Sequence, residues 1–296
     1  MTGHTIGRWK TGTHGEVPSI GISLNRPDRG RIMLVGDLHL DSAYCDRAAL
    51  KYTLDQAVEH DAPIVILGDV FDAMQSKGDR RANKAALMER YHGRDDYLNA
   101  MLEDAESFLA PYAKHVWIML HGNHDADMTK YHEVDLLRLL AVTLNRSGAS
   151  IATPGYQTHV ALKLSHSTST TSDLVFGWLT HGSGGSSPVT GGVIGASRRA
   201  MYVPQADFFA SGHLHRDWVF PTGQVRVGRS GRVFKQRVPH VQVGAWKDES
   251  SSAASWANQK GMMPFPVGPA YWLEVRFGRG QNPLPKWHMK FVEVDV

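Results

Sequence analysis

Arg31-Ile32-Met33-Leu34-Val35-Gly36-Asp37-Leu38-His39 is the stretch on which the reading of the fold turns. A short apolar run, part β-branched, stops abruptly at glycine and is followed at once by an acid and an imidazole. A continuous run of this length reads as a strand buried on both faces. Asp37 and His39 are two apart, so in extended backbone their side chains share one face. The pattern then recurs. Residues 64–67 lead into Gly68-Asp69-Val70-Phe71-Asp72, and residues 116–120 into Gly122-Asn123-His124-Asp125. Residues 174–179 end at His181-Gly182, and residues 207–210 at Gly212-His213-Leu214-His215.

Between these runs lie amphipathic stretches. Leu50, Leu54, Ala57 and Val58 form one helical face; Leu98, Met101, Leu102, Ala105, Phe108 and Leu109 form a second; Leu136, Leu137, Leu140 and Leu144 form a third. Strand–helix alternation argues for an α/β layered core. Residues 1–30 read as a loosely attached arm with at most one edge strand, over residues 17–24. Residues 31–296 then form one domain, with a helical insertion at 73–112. Within it, residues 218–296 supply β-hairpins and closing strands, because alternating Val/Arg and Val/Gln pairs with Pro and Gly replace the earlier pattern. Residues 165–172 are Ser/Thr-rich and read as a surface loop.

Composition excludes several classes. No apolar run approaches the ~18–20 residues of a membrane span, and residues 1–31 lack the apolar centre of a secretory signal. Cys45 is the only cysteine, so an intramolecular disulfide is excluded and a reducing cytosol is the expected location. The net charge of +3 does not by itself demand a nucleic-acid partner.

The chemistry lies at the strand ends. In open α/β sheets ligands bind at the carboxyl ends of strands, so the five blocks should converge. Carboxylate, carboxamide and imidazole donors favour Mn²⁺, Fe or Zn²⁺ over Ca²⁺, and the blocks offer no soft sulfur. Glycine before four of the groups, and after His181 in the other, lets the backbone turn beside a crowded ion. Any one fragment, such as a lone Asp-x-His, is more often incidental; the weight comes from five fragments, each at a strand end.

With these blocks the sequence resembles the calcineurin-like metallophosphoesterases over roughly residues 31–215. The resemblance implies a four-layer αββα sandwich with its metal site at the strand C-termini. It also implies two divalent ions, Mn²⁺ first, with Fe, Zn or Ni as alternatives. Asp37, His39 and His215 would bind one ion, Asn123, His181 and His213 the other, and Asp69 would bridge them. Two ions ~3.5–4 Å apart can hold a hydroxide and clamp phosphoryl oxygens. His124 would protonate the leaving group, a step worth ~10²–10⁴ in rate. Asp72 would fix the His124 tautomer and raise its proton affinity. Asp125 has two readings, a supporting contact to the site or a cap on the following turn.

Features near the blocks narrow the substrate. Ala73-Met74 and His121 stand where protein Ser/Thr phosphatases carry phosphate-clamping arginines. His124 stands where lipid A pathway pyrophosphatases carry arginine. The Gly-Asn-His-Asp block is shared with cyclic-nucleotide phosphodiesterases and SbcD-type nucleases. The segments around Phe71-Asp72-Ala73-Met74-Gln75 and Thr180-His181-Gly182 resemble metallophosphoesterases of bacteriophages and prophages. This implies a phosphodiesterase acting on DNA, RNA or a nucleotide, in a bacterial or phage-infected cytosol. The rivals are a phosphomonoesterase and a metal-binding scaffold with little activity. Two basic clusters flank the site in sequence. One contains Lys77, Arg80, Arg81, Lys84, Arg90 and Arg94; the other contains Arg216, Arg226, Arg229, Arg232, Lys235 and Arg237. They read either as substrate-phosphate contacts, with Lys77, Arg80 and Arg81 nearest the site, or as solvated faces. The glycines of residues 182–187 read as a phosphate cradle or a plain loop, and Trp218, Trp246, Trp256 and Phe265 as base-stacking or core residues.

Overall fold

A computed structural model describes residues 8–25, 28–73, 86–185, 187, 189–228, 231–248, 265–278 and 287–295. Lys77, Arg80, Arg81, Lys84, Arg229 and Trp256 lie outside them.

The five apolar runs are strands. β1 (Arg8–His14), β2 (Val17–Leu24) and β3 (Arg29–Val35) precede helix α1 (Arg47–Glu59). β4 (Ile64–Ile66) is followed by α2 (Tyr97–Leu109) and β5 (Val116–Met119). Then come α3 (Asn123–His132), α4 (Leu136–Arg146), β6 (Gln157–His166) and β7 (Asp173–Thr180). The chain closes with α5 (Val193–Tyr202), β8 (Phe208–Ser211), β9 (Trp218–Val227), β10 (Val233–Gln242), β11 (Tyr271–Phe277) and β12 (Trp287–Glu293).

The strands form two sheets, one ordered β12-β11-β3-β4-β5 and the other β1-β2-β6-β7-β8-β10-β9. In the first, β3, β4 and β5 run parallel; in the second, β7, β8 and β10 do. Alternation sorts each strand between two cores. Met33, Val35, Ile64 and Ile66 face α1, α2 and α4, packing with Leu50, Leu54, Met101, Leu137 and Leu140. Ile32, Leu34, Val65 and Leu67 face the second sheet, against Leu162, Leu179, Phe208 and Val241. On the far side α5 packs Ala200 and Val203 against Phe209 and Val238. The result is an αββα sandwich. Burial on both faces explains why these strands are unbroken apolar runs. Among the described residues no helix is long and apolar enough to cross a membrane.

The N-terminal reading is corrected. Residues 8–24 are two strands of the larger sheet: β2 lies between β1 and β6, pairing antiparallel and parallel with them. Ile20, Ile22 and Leu24 point into the core between the sheets and are fully or almost fully buried. The period-two spacing of these three was the available signal, diluted by Pro18, Ser19, Gly21 and Ser23. β6 shares this weakness, since Val160, Leu162 and Leu164 are flanked or interrupted by His159, Lys163 and Ser165. The Ser/Thr-rich stretch after it is largely exposed, as expected.

Because Ile20 is a core residue, Ile20→Ala should lower the free energy of unfolding by about 2–5 kcal/mol. Urea denaturation checks this; a loss below about 0.5 kcal/mol, normal for surface positions, would restore the arm.

Candidate metal centre

All five blocks meet along one edge of the sandwich because β3, β4 and β5 in one sheet, and β7 and β8 in the other, end there. Backbone bonds lock the blocks to each other. Asp37 N donates to Gly68 O at 2.9 Å, His39 N to Asp69 O at 3.0 Å, and Gly212 N to His181 O at 2.9 Å. Asp37, His39, Asp69, His213 and His215 all have positive φ, between 47° and 82°. Five of the seven expected ligands thus sit in a region that non-glycine residues seldom occupy, a strain characteristic of functional sites. The glycines leave no slack. A Cβ on Gly122 would collide with the Asp69 carboxylate and backbone, and one on Gly68, itself at φ 101°, would lie 2.6 Å from His181 Nδ1.

The side chains gather into two groups. In the first, His39 Nε2 and His215 Nε2 lie 3.2 Å apart, and His215 Nε2 is 3.5 Å from Asp37 Oδ1. In the second, Asn123 Oδ1 is 2.7 Å from His213 Nδ1 and 3.1 Å from His181 Nε2, and His181 Nε2 is 3.2 Å from Asp69 Oδ2. The Asp37–His39–His215 and Asp69–His181–His213 trios each have the geometry of a candidate metal cluster. The fit to divalent ions is direct. Metal bonds of about 2.0–2.2 Å place neighbouring donors about 3.0–3.4 Å apart, which is the observed crowding. Carboxylate, carboxamide and imidazole donors packed this closely are able to hold metal ions.

Hydrogen bonds orient the donors. His181 Nδ1 lies 2.8 Å from Leu67 O, so a proton there leaves Nε2 facing the second group. The Asp37 carboxylate accepts from His213 N at 2.8 and 3.0 Å, and Asp69 Oδ1 from His124 N at 2.9 Å. Tyr156 donates its hydroxyl to Gly182 O at 2.7 Å and sets its ring edge-on to His181.

Burial and mutual charge pull the ionisable groups apart. Burial pushes His39 down to about 4 despite the neighbouring Asp72. Burial and then the charge of His181 take His213 to about 4 as well. Burial would also lower His181, but Asp69 and Asp37 outweigh it and raise the imidazole to about 9. Burial raises Asp37. Asp69 is held below the usual carboxylate range: burial opposes this, but His181 and His124 prevail.

The expected His124–Asp72 pair is present in altered form. His124 Nδ1 lies 2.6 Å from the backbone oxygen of Asp72, whereas the Asp72 carboxylate is 3.6 Å away. That carboxylate is held instead by Lys247 Nζ, at 3.0 and 3.1 Å, and lies 3.0 Å from His39 Nδ1. Asp125 meets both of its readings. It accepts from Gly122 N at 2.9 Å, closing the first turn of α3, and from Phe71 N at 3.3 Å, tying the second block to the third. Asp41, which belongs to none of the five blocks, holds the next two amides of that loop, accepting from Asp72 N at 2.6 Å and Ala73 N at 2.9 Å. Sequence reasoning missed Lys247 too; a single lysine among polar residues carries no local signal.

Several flanking basic residues have local partners. Arg90 donates to Asp104, Arg94 pairs with Asp96, and Arg226 binds Asp207. Arg216 stacks over Phe265. Trp246 is fully buried and belongs to the core. His213 Nε2 lies 3.0 Å from Gly184 O, so that loop presents a carbonyl to the site.

The family model described as calcineurin-like phosphoesterase matches residues 30–217, well over half of the chain. The chain belongs to that family and is a metal-dependent phosphoric ester hydrolase. A comparison with curated protein sequences gives no match. Among solved structures, a conserved protein of Streptococcus pneumoniae TIGR4, titled a predicted phosphoesterase, aligns over 88% of this chain and 98% of its own. Its identity is 11% and its TM-score 0.33, so that likeness carries no argument.

With His181 raised to about 9, metal loading near neutral pH should release its proton. Mn²⁺ affinity of the chelator-treated protein should keep rising with pH up to about 9. Calorimetry in buffers of different ionisation enthalpy counts the proton, and His181→Asn should abolish that part of the release. A plateau above about pH 7, as for an imidazole at its ordinary 6.5, would contradict this environment for His181.

Proposed function

We propose that this hydrolase is a phosphodiesterase acting on nucleic-acid or nucleotide diesters. Asp37, His39 and His215 would hold one divalent ion, and Asn123, His181 and His213 the other. Asp69 would lie between the ions, and Mn²⁺ is the first choice for both. When bound, such ions act as Lewis acids on phosphoryl oxygens and lower the pKa of water.

The observation carrying the diester reading is the character of the site's rim. Ala73 is buried, and His121 is engaged with Asp135 at 2.9 Å, so neither position supplies a guanidinium. Guanidinium groups at these positions would favour a monoester dianion through charge-assisted bonds, whereas a diester carries a single charge. His124 suits a diester's leaving alcohol. Its Nδ1–H donates to Asp72 O, turning Nε2 towards the site, 4.0 Å from Asp69 Oδ2. From there it would protonate the departing alkoxide. The lone cysteine, Cys45, supports a reducing cytosol.

A Mn²⁺-loaded substrate panel tests the class. Bis-p-nitrophenyl phosphate and nucleotide or DNA diesters should exceed p-nitrophenyl phosphate in kcat/KM. Preference for the monoester would reverse the assignment. His124→Asn should keep both ions yet lose about 10²–10⁴ in kcat on nucleoside esters. It should lose far less on nitrophenyl esters, whose leaving group hardly needs a proton. Equal losses on both would make His124 a ligand or a structural residue.

Lys77, Arg80 and Arg81 enter this reading as contacts to further substrate phosphates. Changing Arg80 and Arg81 to Ala should raise KM on DNA and flatten its salt dependence. Values of kcat on bis-p-nitrophenyl phosphate should stay near wild type. Unchanged kinetics on every substrate would return them to the solvated surface.

A further inference from the structure

Lys247 reaches the site from beyond residue 217, where the family match ends. Its placement is non-local. Trp246 N donates to Asp37 O at 3.0 Å, Asp46 N to Trp246 O at 2.8 Å, and Asp248 N to Tyr44 O at 2.8 Å. Lys247 itself forms a β-bridge with Cys45. The segment is therefore laced to the backbone following the first metal block, and Trp246 anchors it in the core with no exposed surface. From there the Lys247 side chain, only 8% exposed, puts Nζ 3.0 and 3.1 Å from the two oxygens of Asp72.

We propose that Lys247 is a positioning residue for the metal ion held by Asp37, His39 and His215. Holding both Asp72 oxygens restrains rotation of the carboxylate and keeps Oδ1 3.0 Å from His39 Nδ1. Asp72 beside Nδ1 favours the tautomer protonated there, which leaves the lone pair of Nε2 on the side of His215 and Asp37. The same clamp steadies the residue whose carbonyl bonds His124 Nδ1. A carboxylate behind a ligating histidine commonly sets ring orientation and basicity, and its loss costs about 10–100-fold in metal affinity. Here the carboxylate is itself buried. A buried charge with one partner removed is strongly destabilised, so the clamp and the ligand depend on each other. This inference rests on the ligand assignment made under Proposed function.

The test uses the full chain, freed of metal by chelation and titrated with MnCl₂ by calorimetry. Lys247→Met should weaken one of the two Mn²⁺ ions about 10–100-fold and leave the other close to wild type. Lys247→Arg, which keeps the cation, should recover most of that loss. If Lys247 acts through Asp72, the double variant Lys247→Met/Asp72→Asn should bind no worse than Asp72→Asn alone. The double variant leaves no charged carboxylate at position 72, so it carries the test if Lys247→Met does not fold. Wild-type affinity in Lys247→Met, or losses that add in the double variant, would overturn the proposal. A salt bridge that only anchors the C-terminal segment would lower the melting temperature and leave both affinities intact, which would overturn it equally. Asp37→Asn separates the ligand assignment from the role of Lys247. If it loses an ion while Lys247→Met does not, only the role of Lys247 falls. If it keeps both ions, the ligand assignment falls and this inference with it.

Discussion

Three carboxylates, Asp37, Asp69 and Asp72, lie buried in one layer of loops at the edge of the sandwich. A carboxylate without compensation in such a place would be expelled or protonated. The surrounding structure supplies that compensation piece by piece. Amides of His213 and His124 bond Asp37 and Asp69. His181 lies against Asp69, and the ammonium of Lys247 against Asp72. Two further buried acids, Asp41 and Asp125, hold the amides of residues 70–73 and 122. Burial leads their proton affinity upwards, to about 6 for each. The acids beside imidazole or ammonium are driven the other way, except Asp37, where burial prevails. Cationic neighbours therefore set the direction for Asp69 and Asp72, and burial sets it for Asp37, Asp41 and Asp125.

That layer also dictates backbone shape. To aim side chains from parallel strand ends at shared points, the chain must reverse direction immediately after each strand. At the first, second and fifth blocks it does so through positive-φ residues, five of which are expected ligands. The energy stored there is carried by packing behind the strands, where two cores grip both faces of β3 and β4. Gly122 has a different task. It lies against Asp69, and any side chain would occupy the space of that carboxylate. A rigid sandwich with a strained rim is well suited to bringing like-charged and lone-pair-bearing atoms together, which a flexible loop would let drift apart.

The two halves of the site come from different sheets, and this constrains function. Asp37, Asp69 and Asn123 follow strands of one sheet, whereas His181, His213 and His215 follow strands of the other. Contacts such as His39–His215 and Asn123–His213 cross between them. The core between the sheets, including Ile20 and Leu162, therefore fixes distances within the candidate metal centre although it lies far from it in sequence. β2 contributes to that core, which gives the N-terminal strands a part in positioning the site.

Composition and local pattern determined much of this protein without any structure. Unbroken apolar runs ending in Gly-Asp, Gly-Asn-His or His-x-His announce buried strands with clustered polar donors at their tips, because every element of that signal is contiguous. Helical faces over Leu50–Leu54 and Leu136–Leu144 were legible for the same reason. What tertiary structure alone decided was pairing between distant pieces. It seated β2 inside a sheet, assigned the Asp72 carboxylate to His39 and Lys247 while its carbonyl took His124, and made Asp41 a clamp for the neighbouring loop. Each of these depends on a contact between residues far apart in the chain, from the 31 positions between Asp41 and Asp72 to the 175 between Asp72 and Lys247. Periodicity and spacing report only on neighbours within a turn or a strand, so the pairing of Lys247 with Asp72 appears only once the chain has folded around it.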